Sequence, residues 1–196
     1  MNAPPSRSLG RPSVTDHATI EHAAFQLFER QGFEETTLEQ IADAVGVGRR
    51  TLFRYFPSKN DIPWGQFDES LRGFRQQFDQ IPADMPLADA VHRCVVDFNR
   101  FDDVALDQHR FRMRLLLTTP ALQAHSALKY EAWRGVIAEF IATRLGLAPD
   151  DAVPRLVGHV SLAQSVAAYE QWLGDPDRSL TQILEANLAA LRDYLC

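Results

Sequence analysis

The sequence predicts an all-α protein of about nine helices, with a three-helix N-terminal unit of helix-turn-helix type and a larger helical domain behind it. Apolar residues recur at spacings of three and four along most of the 196 residues. Neither the alternation of a half-buried strand nor an Asn-Gly hairpin appears anywhere in the chain. Residues 36–56 set a capping box, a glycine turn and a second short amphipathic segment in direct succession.

Residues 1–13, with Pro4, Pro5, Gly10 and Pro12, read as a flexible N-terminal arm without a core of its own. A helix follows from about Val14 to Gln31, with Ile20, Ala24, Leu27 and Phe28 on one face and Gly32 as its stop. In "TTLEQIADAVG", Thr37 caps a second helix and Gln40 stands at its third position, while Leu38, Ile41, Ala42 and Val45 form one buried stripe. Gly46 supplies the left-handed residue that closes it. After the turn "GVG", a third helix runs from about Arg49 to Phe56 and ends at Pro57.

A longer helix is expected over 58–80, with Trp64, Phe67, Leu71, Phe74 and Phe78 on one stripe and Pro63 disturbing its first turns. Beyond the linker "IPADMP", helical patterns cover about 87–102, 107–118, 121–145, 152–173 and 179–195. The expected domains are therefore the arm at 1–13, a helix-turn-helix at 14–60 and a second domain at 61–196. Cys94 falls on an apolar stripe and reads as a small core residue, and with Cys196 it makes no disulfide framework. No apolar run approaches the roughly 18 residues of a membrane span, and the opening residues lack a secretory signal, so the expected compartment is the cytoplasm.

Charge is spread unevenly along the chain. Residues 1–60 hold seven basic and seven acidic groups, whereas 61–196 hold thirteen and nineteen, the source of the net charge of −6. Within the neutral part, no acid occurs from Ala44 to Asn60, yet Arg49, Arg50, Arg54 and Lys59 do. Such a chain is expected to meet a polyanion through one small surface. On the third helix Leu52 and Phe56 share the core face, Arg50 and Arg54 lie four apart on an exposed stripe, and so do Thr51 and Tyr55. A helix fits the major groove of B-DNA, where Arg bonds guanine through two donors and Thr meets the thymine methyl. The bland alternative, a merely solvated basic helix, leaves unexplained why cap, turn and core face agree around it. Lys59, at the start of the following helix, is placed for a phosphate oxygen, and Thr37 has the same option.

The stretch "TTLEQIADAVGVGRRTLFRYFPSKND" resembles the N-terminal domain of TetR-family regulators over roughly residues 14–62. The match rests on Thr37, Ile41-Ala42, Gly46-Val47, Thr51-Leu52, Tyr55-Phe56 and Pro57-Ser58-Lys59. More narrowly, "GRRTLFRYFPSKNDIPWG" and "RMRLLLTTPALQAHSALKYEAWR" resemble the TetR-type regulators found beside mycofactocin biosynthesis genes. Many members carry a hydroxyl residue where this chain has Gly48, a small residue in place of Arg50, and a phosphate-binding tyrosine in place of Phe53. Phe53 is accordingly assigned to packing, and Arg54 takes over the phosphate contact. "GRP" at 10–12 is similar to minor-groove arms, which implicates Arg11 and, behind it, Arg7. The expected DNA contacts are Thr37, Arg49, Arg50, Thr51, Arg54, Tyr55, Lys59 and Arg11, on double-stranded operator DNA.

The resemblance implies that 61–196 binds a ligand and dimerises. Five helices with wide apolar stripes can enclose an apolar pocket. In "DQHRFRMRLLLTT", His109, Arg110, Arg112 and Arg114 precede an apolar run, either as a cationic pocket mouth or as an exposed helix start. Arg110, Arg112, Arg114, Phe98, Trp133 and Tyr169 are the ligand-binding candidates, although the aromatic ones fit a packed core equally. Small residues Gly158, Ser161, Ser165 and Ala168 permit close helix approach, and the last helix carries a long Leu stripe that can serve either a homodimer or an internal core. The function expected is a repressor that binds a palindromic operator as a homodimer through its last two helices. A small apolar ligand such as a long-chain acyl-CoA is expected to release it, in a cytoplasmic, nucleoid-associated setting. Coupling is expected to run through the long helix 58–80.

Two other classes compete. An all-α enzyme acting on an acyl compound needs converging catalytic groups, but the six histidines are scattered and no metal-ligand spacing or Gly-x-Ser-x-Gly elbow occurs. No cofactor, metal site or catalytic residue is therefore expected. A helix-turn-helix turned protein-interaction module is separable by salt dependence, because phosphate contacts make affinity fall steeply with salt.

Overall fold

The computed structural model describes residues 15–175 and 177–195, and these fold into nine α-helices and short 3₁₀ turns with no strand among them. The helices are α1 His17–Gln31, α2 Leu38–Ala44, α3 Arg49–Tyr55, α4 Phe67–Asp79, α5 Leu87–Phe98, α6 Leu106–Thr118, α7 Pro120–Leu145, α8 Ala152–Gly174 and α9 Leu180–Leu195. The chain forms two compact units that divide between Gly65 and Gln66.

In the first unit local chemistry sets the start of α1 and both ends of α2. Asp16 caps α1 by accepting the Thr19 amide at 2.8 Å, a bond that also holds its carboxyl below the usual range. Thr37 and Gln40 form the reciprocal capping box of α2. Gly46, at φ 68°, turns the chain out of α2 through the left-handed region. Ile20, Ala24, Phe28, Ile41, Ala42, Leu52 and Phe56 close the core of these three helices.

The expected helix over 58–80 is two elements. Lys59–Trp64 is a 3₁₀ turn containing Pro63, Gly65 follows at φ 54° and ψ −132°, and α4 starts only at Phe67. Proline removes a backbone donor within the turn, and the glycine takes a conformation closed to other residues, so the α-helical ladder cannot run through. Trp64, expected on the α4 stripe, is buried in the first unit instead.

The second unit is built on an aromatic and aliphatic core from α4, α5 and α7, including Leu71, Phe74, Phe78, Val91, Val95, Trp133 and Ile137. Phe74 stacks on Trp133 at 5.4 Å between ring centroids and touches Phe98 at 4.7 Å. Each large apolar side chain withdrawn from water here contributes about 1.5–3 kcal/mol. Cys94 is buried in this core as a free thiol, pushed up to about 11 by burial with the charge of Asp97 adding. Arg144 of α7 donates to the carbonyls of Ala83 and Met85 at 2.7 and 2.8 Å and so pins the α4–α5 loop.

The small residues of α8 serve the protomer itself. Gly158, Ser161, Ser165 and Ala168 are buried, and a Cβ on Gly158 would stand 3.0 Å from the Arg134 carbonyl oxygen of α7. The first half of the α9 Leu stripe is likewise drawn inward, with Leu180, Ile183 and Leu184 buried, while Leu188 and Leu191 are half-buried. What α8 leaves exposed or half-exposed is a different stripe, Leu156, Val160, Ala163 and Ala167.

Candidate nucleic-acid interface and the interior of the second unit

On α3 the sequence periodicity becomes three stripes around the buried Leu52. Arg50 and Arg54 project outward, and both are exposed with no hydrogen bond or ion pair to any described residue. Toward α2 lie Arg49 and Phe53: the Arg49 guanidinium pairs with Glu39 at 2.6 Å and lies over the Phe53 ring at 5.3 Å. Toward α1 lie Thr51 and Tyr55, both half-buried. Thr37 is exposed beside this face; its oxygen accepts the Gln40 amide, and the hydroxyl keeps its own proton for another acceptor.

Three expectations change here. Phe53 packs only in part, because 39% of it remains exposed while Leu52 beside it is at 0%. The Tyr55 hydroxyl donates to the Thr15 carbonyl, and its ring meets His17 edge-on at 4.9 Å, so this side chain ties the entry of α1 to the end of α3. Lys59 is engaged completely within the unit. Its ammonium donates to the carbonyls of Phe33, Glu34 and Thr36 at 2.8, 3.1 and 2.9 Å and lies 4.5 Å from the Phe33 ring centre. An ammonium has three protons, and the loop between α1 and α2 takes all three. The carbonyls that recruit it lie 23 to 26 residues back, so spacing around Lys59 carries no sign of them. Arg11, and with it Arg7, lies outside the described residues.

In the second unit the six expected ligand contacts do not converge. Phe98 and Trp133 belong to the packed core with Phe74. Arg110 donates to the Trp172 carbonyl at 2.6 Å with its guanidinium 4.0 Å over the Trp172 ring, Arg112 is half-buried and Arg114 is exposed. Arg110 is taken up by Trp172, so the three do not form one open cationic mouth.

The last of the six, Tyr169, belongs to a buried relay that sequence reasoning did not assemble. Asn99 donates its amide to the Val95 carbonyl at 2.8 Å, which turns its Oδ1 toward Tyr169. The Tyr169 hydroxyl donates to that oxygen at 2.7 Å, so it must accept from His109 Nε2 at 2.9 Å. His109 is therefore the neutral tautomer protonated at Nε2. Burial, with the charge of Arg112 adding, lowers it from 6.5 to about 3. Burial also raises the Tyr169 phenol. Phe101 covers His109 as a stacked ring at 3.7 Å. The three partners come from the C-cap of α5, from α6 and from α8, at separations of 60 and 70 residues, beyond the reach of periodicity.

Surface grooves open on this unit, two of them beside its core helices. The larger, about 550 Å³, is mainly apolar and lies among α5, α7, α8 and α9, with Val91, Ile141, Leu156 and Leu188 in its walls. The smaller, about 360 Å³, lies between α4 and α7 beside Arg75 and Phe140. None of the six expected ligand contacts lines either groove.

Two family models match the chain: the bacterial regulatory proteins of the tetR family over residues 20–62, and the MftR C-terminal domain over 85–195. A candidate mycofactocin biosynthesis transcriptional regulator of Mycobacterium tuberculosis, MftR, is 43% identical over 92% of this chain and 91% of its own length. The HTH-type transcriptional regulator TcmR of Streptomyces glaucescens is 34% identical over 88% of this chain and 80% of its own. Among solved structures, the Thermus thermophilus TetR-family repressor FadR, in complex with lauroyl-CoA, superposes with a TM-score of 0.57 at 24% identity, covering 90% of this chain and 93% of that one. FadR of Bacillus subtilis, in complex with stearoyl-CoA, does so at 0.59 and 15% identity, covering 90% and 97%. At these identities the two structures speak for the fold.

Proposed function

The chain belongs to the TetR family of bacterial transcriptional regulators, and from that premise we propose that it is a repressor whose homodimer binds a palindromic operator and releases it on binding a long-chain acyl-CoA. It is a regulator of transcription and not an enzyme, as are the relatives it matches. The observation that carries the DNA-binding reading is the exposed Arg50 and Arg54 pair on α3, on a helix held by the α2 capping box and the Gly46 turn. Arg50 reads a guanine edge, Arg54 meets a phosphate, and the Thr37 hydroxyl supplies a second phosphate contact. Thr51 and Arg49 border the same groove. Arg11 adds a minor-groove contact from the preceding arm.

The homodimer reading uses α8 and α9. The stripe Leu156, Val160, Ala163 and Ala167 is apolar and exposed or half-exposed, and Leu156 and Val160 also line the larger groove. A two-fold axis through such a stripe repeats α3 at two half-sites, which is why the operator is palindromic. The acyl-CoA reading rests on the two FadR complexes and on the apolar helical second unit. Coupling between ligand and DNA follows from any ligand that favours one arrangement of the dimer over another. Its route is not one long helix, because the turn at Lys59–Trp64 and Gly65 interrupts the chain before α4. Among the described residues no helix is long and apolar enough to cross a membrane, which fits the cytoplasmic, nucleoid-associated setting.

A thermal-shift screen of acyl-CoAs and free fatty acids, followed by operator release with each hit, tests the effector. Stabilisation by a long-chain acyl-CoA together with release of DNA is the expected result. Stabilisation without release, or no response to any acyl compound, rejects it. Log affinity for the operator should fall steeply with log salt, and a flat dependence would instead support a protein-interaction module.

A further inference from the structure

Phe53 is, among the described residues of the first unit, the single exposed large hydrophobic side chain, at 39%. It shares a stripe of α3 with Arg49, next to the stripe of the exposed Arg50 and Arg54. Leaving a phenyl ring in water is unfavourable, and nothing in this unit requires it there, since Leu52 and Phe56 already fill the core side at 0% and 1% exposure. Glu39 of α2 pairs with Arg49 at 2.6 Å, and the paired guanidinium lies over the ring at 5.3 Å, so one side of Phe53 is covered while part of the ring stays open to solvent.

Resting on the DNA-binding reading above, we propose that Phe53 reads a thymine through its 5-methyl group, with the Glu39–Arg49 pair as the brace that aims the ring. A phenyl ring has no donor or acceptor for a phosphate oxygen, so it recognises only apolar surface. Among base edges in the major groove, the thymine methyl is the apolar feature, and it distinguishes A·T from T·A. Arg50, one turn away, reads a guanine by hydrogen bonds; Phe53 supplies the complementary apolar discrimination beside it. The brace also accounts for Glu39, an acid on a face that meets a polyanion. Its charge is spent on Arg49 rather than turned toward phosphate.

The test begins with an operator selected by the purified protein from a pool of random DNA duplexes. Each thymine of one half-site is then replaced by deoxyuridine, which removes only the methyl, and affinity is read by fluorescence anisotropy. One position is expected to weaken binding by about fourfold, the equivalent of one buried methyl. Phe53→Ala should bind the thymine and uracil duplexes equally at that position, with an unchanged slope of log affinity against log salt. A wild-type protein indifferent to every thymine replacement overturns the proposal, as does a Phe53→Ala protein that keeps the same uracil penalty. A protein that selects no sequence at all overturns the DNA-binding reading first, and this inference with it.

Discussion

Arg50 and Lys59 stand nine positions apart and look alike in a list of basic residues, yet their surroundings assign them opposite work. Arg50 is solvent-exposed on α3, so its donors remain available for a base edge. Arg50→Ala is expected to weaken operator binding by about 1–3 kcal/mol and to relax base preference at one position, with the thermal midpoint unchanged. Lys59 satisfies three carbonyls of the α1–α2 loop. Lys59→Met is expected to lower unfolding free energy by about 2 kcal/mol in urea titrations, since hydrogen bonds to a charged group are the strong ones. Its salt slope for DNA should match the wild type; a slope reduced by about one charge would return Lys59 to the phosphate backbone. Tyr55 belongs with Lys59, because its hydroxyl is engaged by Thr15. Charge and hydroxyl chemistry were visible in the sequence at all these positions, but availability was not, since it depends on which distant carbonyls arrive.

At the scale of elements, caps and breakers place the helix ends and the faces place the packing. The α7–α8 contact is close because Gly158 has no side chain: a Cβ there meets the Arg134 carbonyl oxygen at 3.0 Å and its Cβ at 3.3 Å. Gly158→Leu is expected to cost about 1–3 kcal/mol by urea unfolding, as overpacking of a tight contact does. The His109–Tyr169–Asn99 relay joins α6, α8 and α5 and imposes a pH dependence. His109 binds a proton near pH 6.5 when unfolded and only near pH 3 when folded, so the unfolded state gains protons first as pH falls. The stability contributed by the neutral imidazole is complete above about pH 6.5 and is lost progressively toward pH 3. His109→Gln, which keeps a donor for Tyr169, should flatten that decline by one proton per chain when urea midpoints are compared between about pH 7 and about pH 4.

For the whole molecule, the prediction concerns the stripe that α8 leaves uncovered. Leu156 is 61% exposed, so replacing it leaves the protomer core intact. Leu156→Arg is expected to yield a monomer by light scattering and to weaken binding to the full palindrome by about a hundredfold, because two half-sites are no longer engaged together. A dimer that survives this change would place its axis elsewhere. The all-α class, the helix-turn-helix and the basic face of α3 were legible in the sequence, because periodicity, capping boxes and glycine turns act within one or two helical turns. Helix α2 was read together with its cap, Thr37, for that reason. Tertiary structure alone decided that Lys59 and Tyr55 are structural ties, that Phe53 is exposed, that Gly158 faces α7, and that His109 meets Tyr169. Apart from the exposure of Phe53, those outcomes depend on groups brought together from tens of residues apart, and no local pattern encodes which donor, acceptor or void will be waiting there.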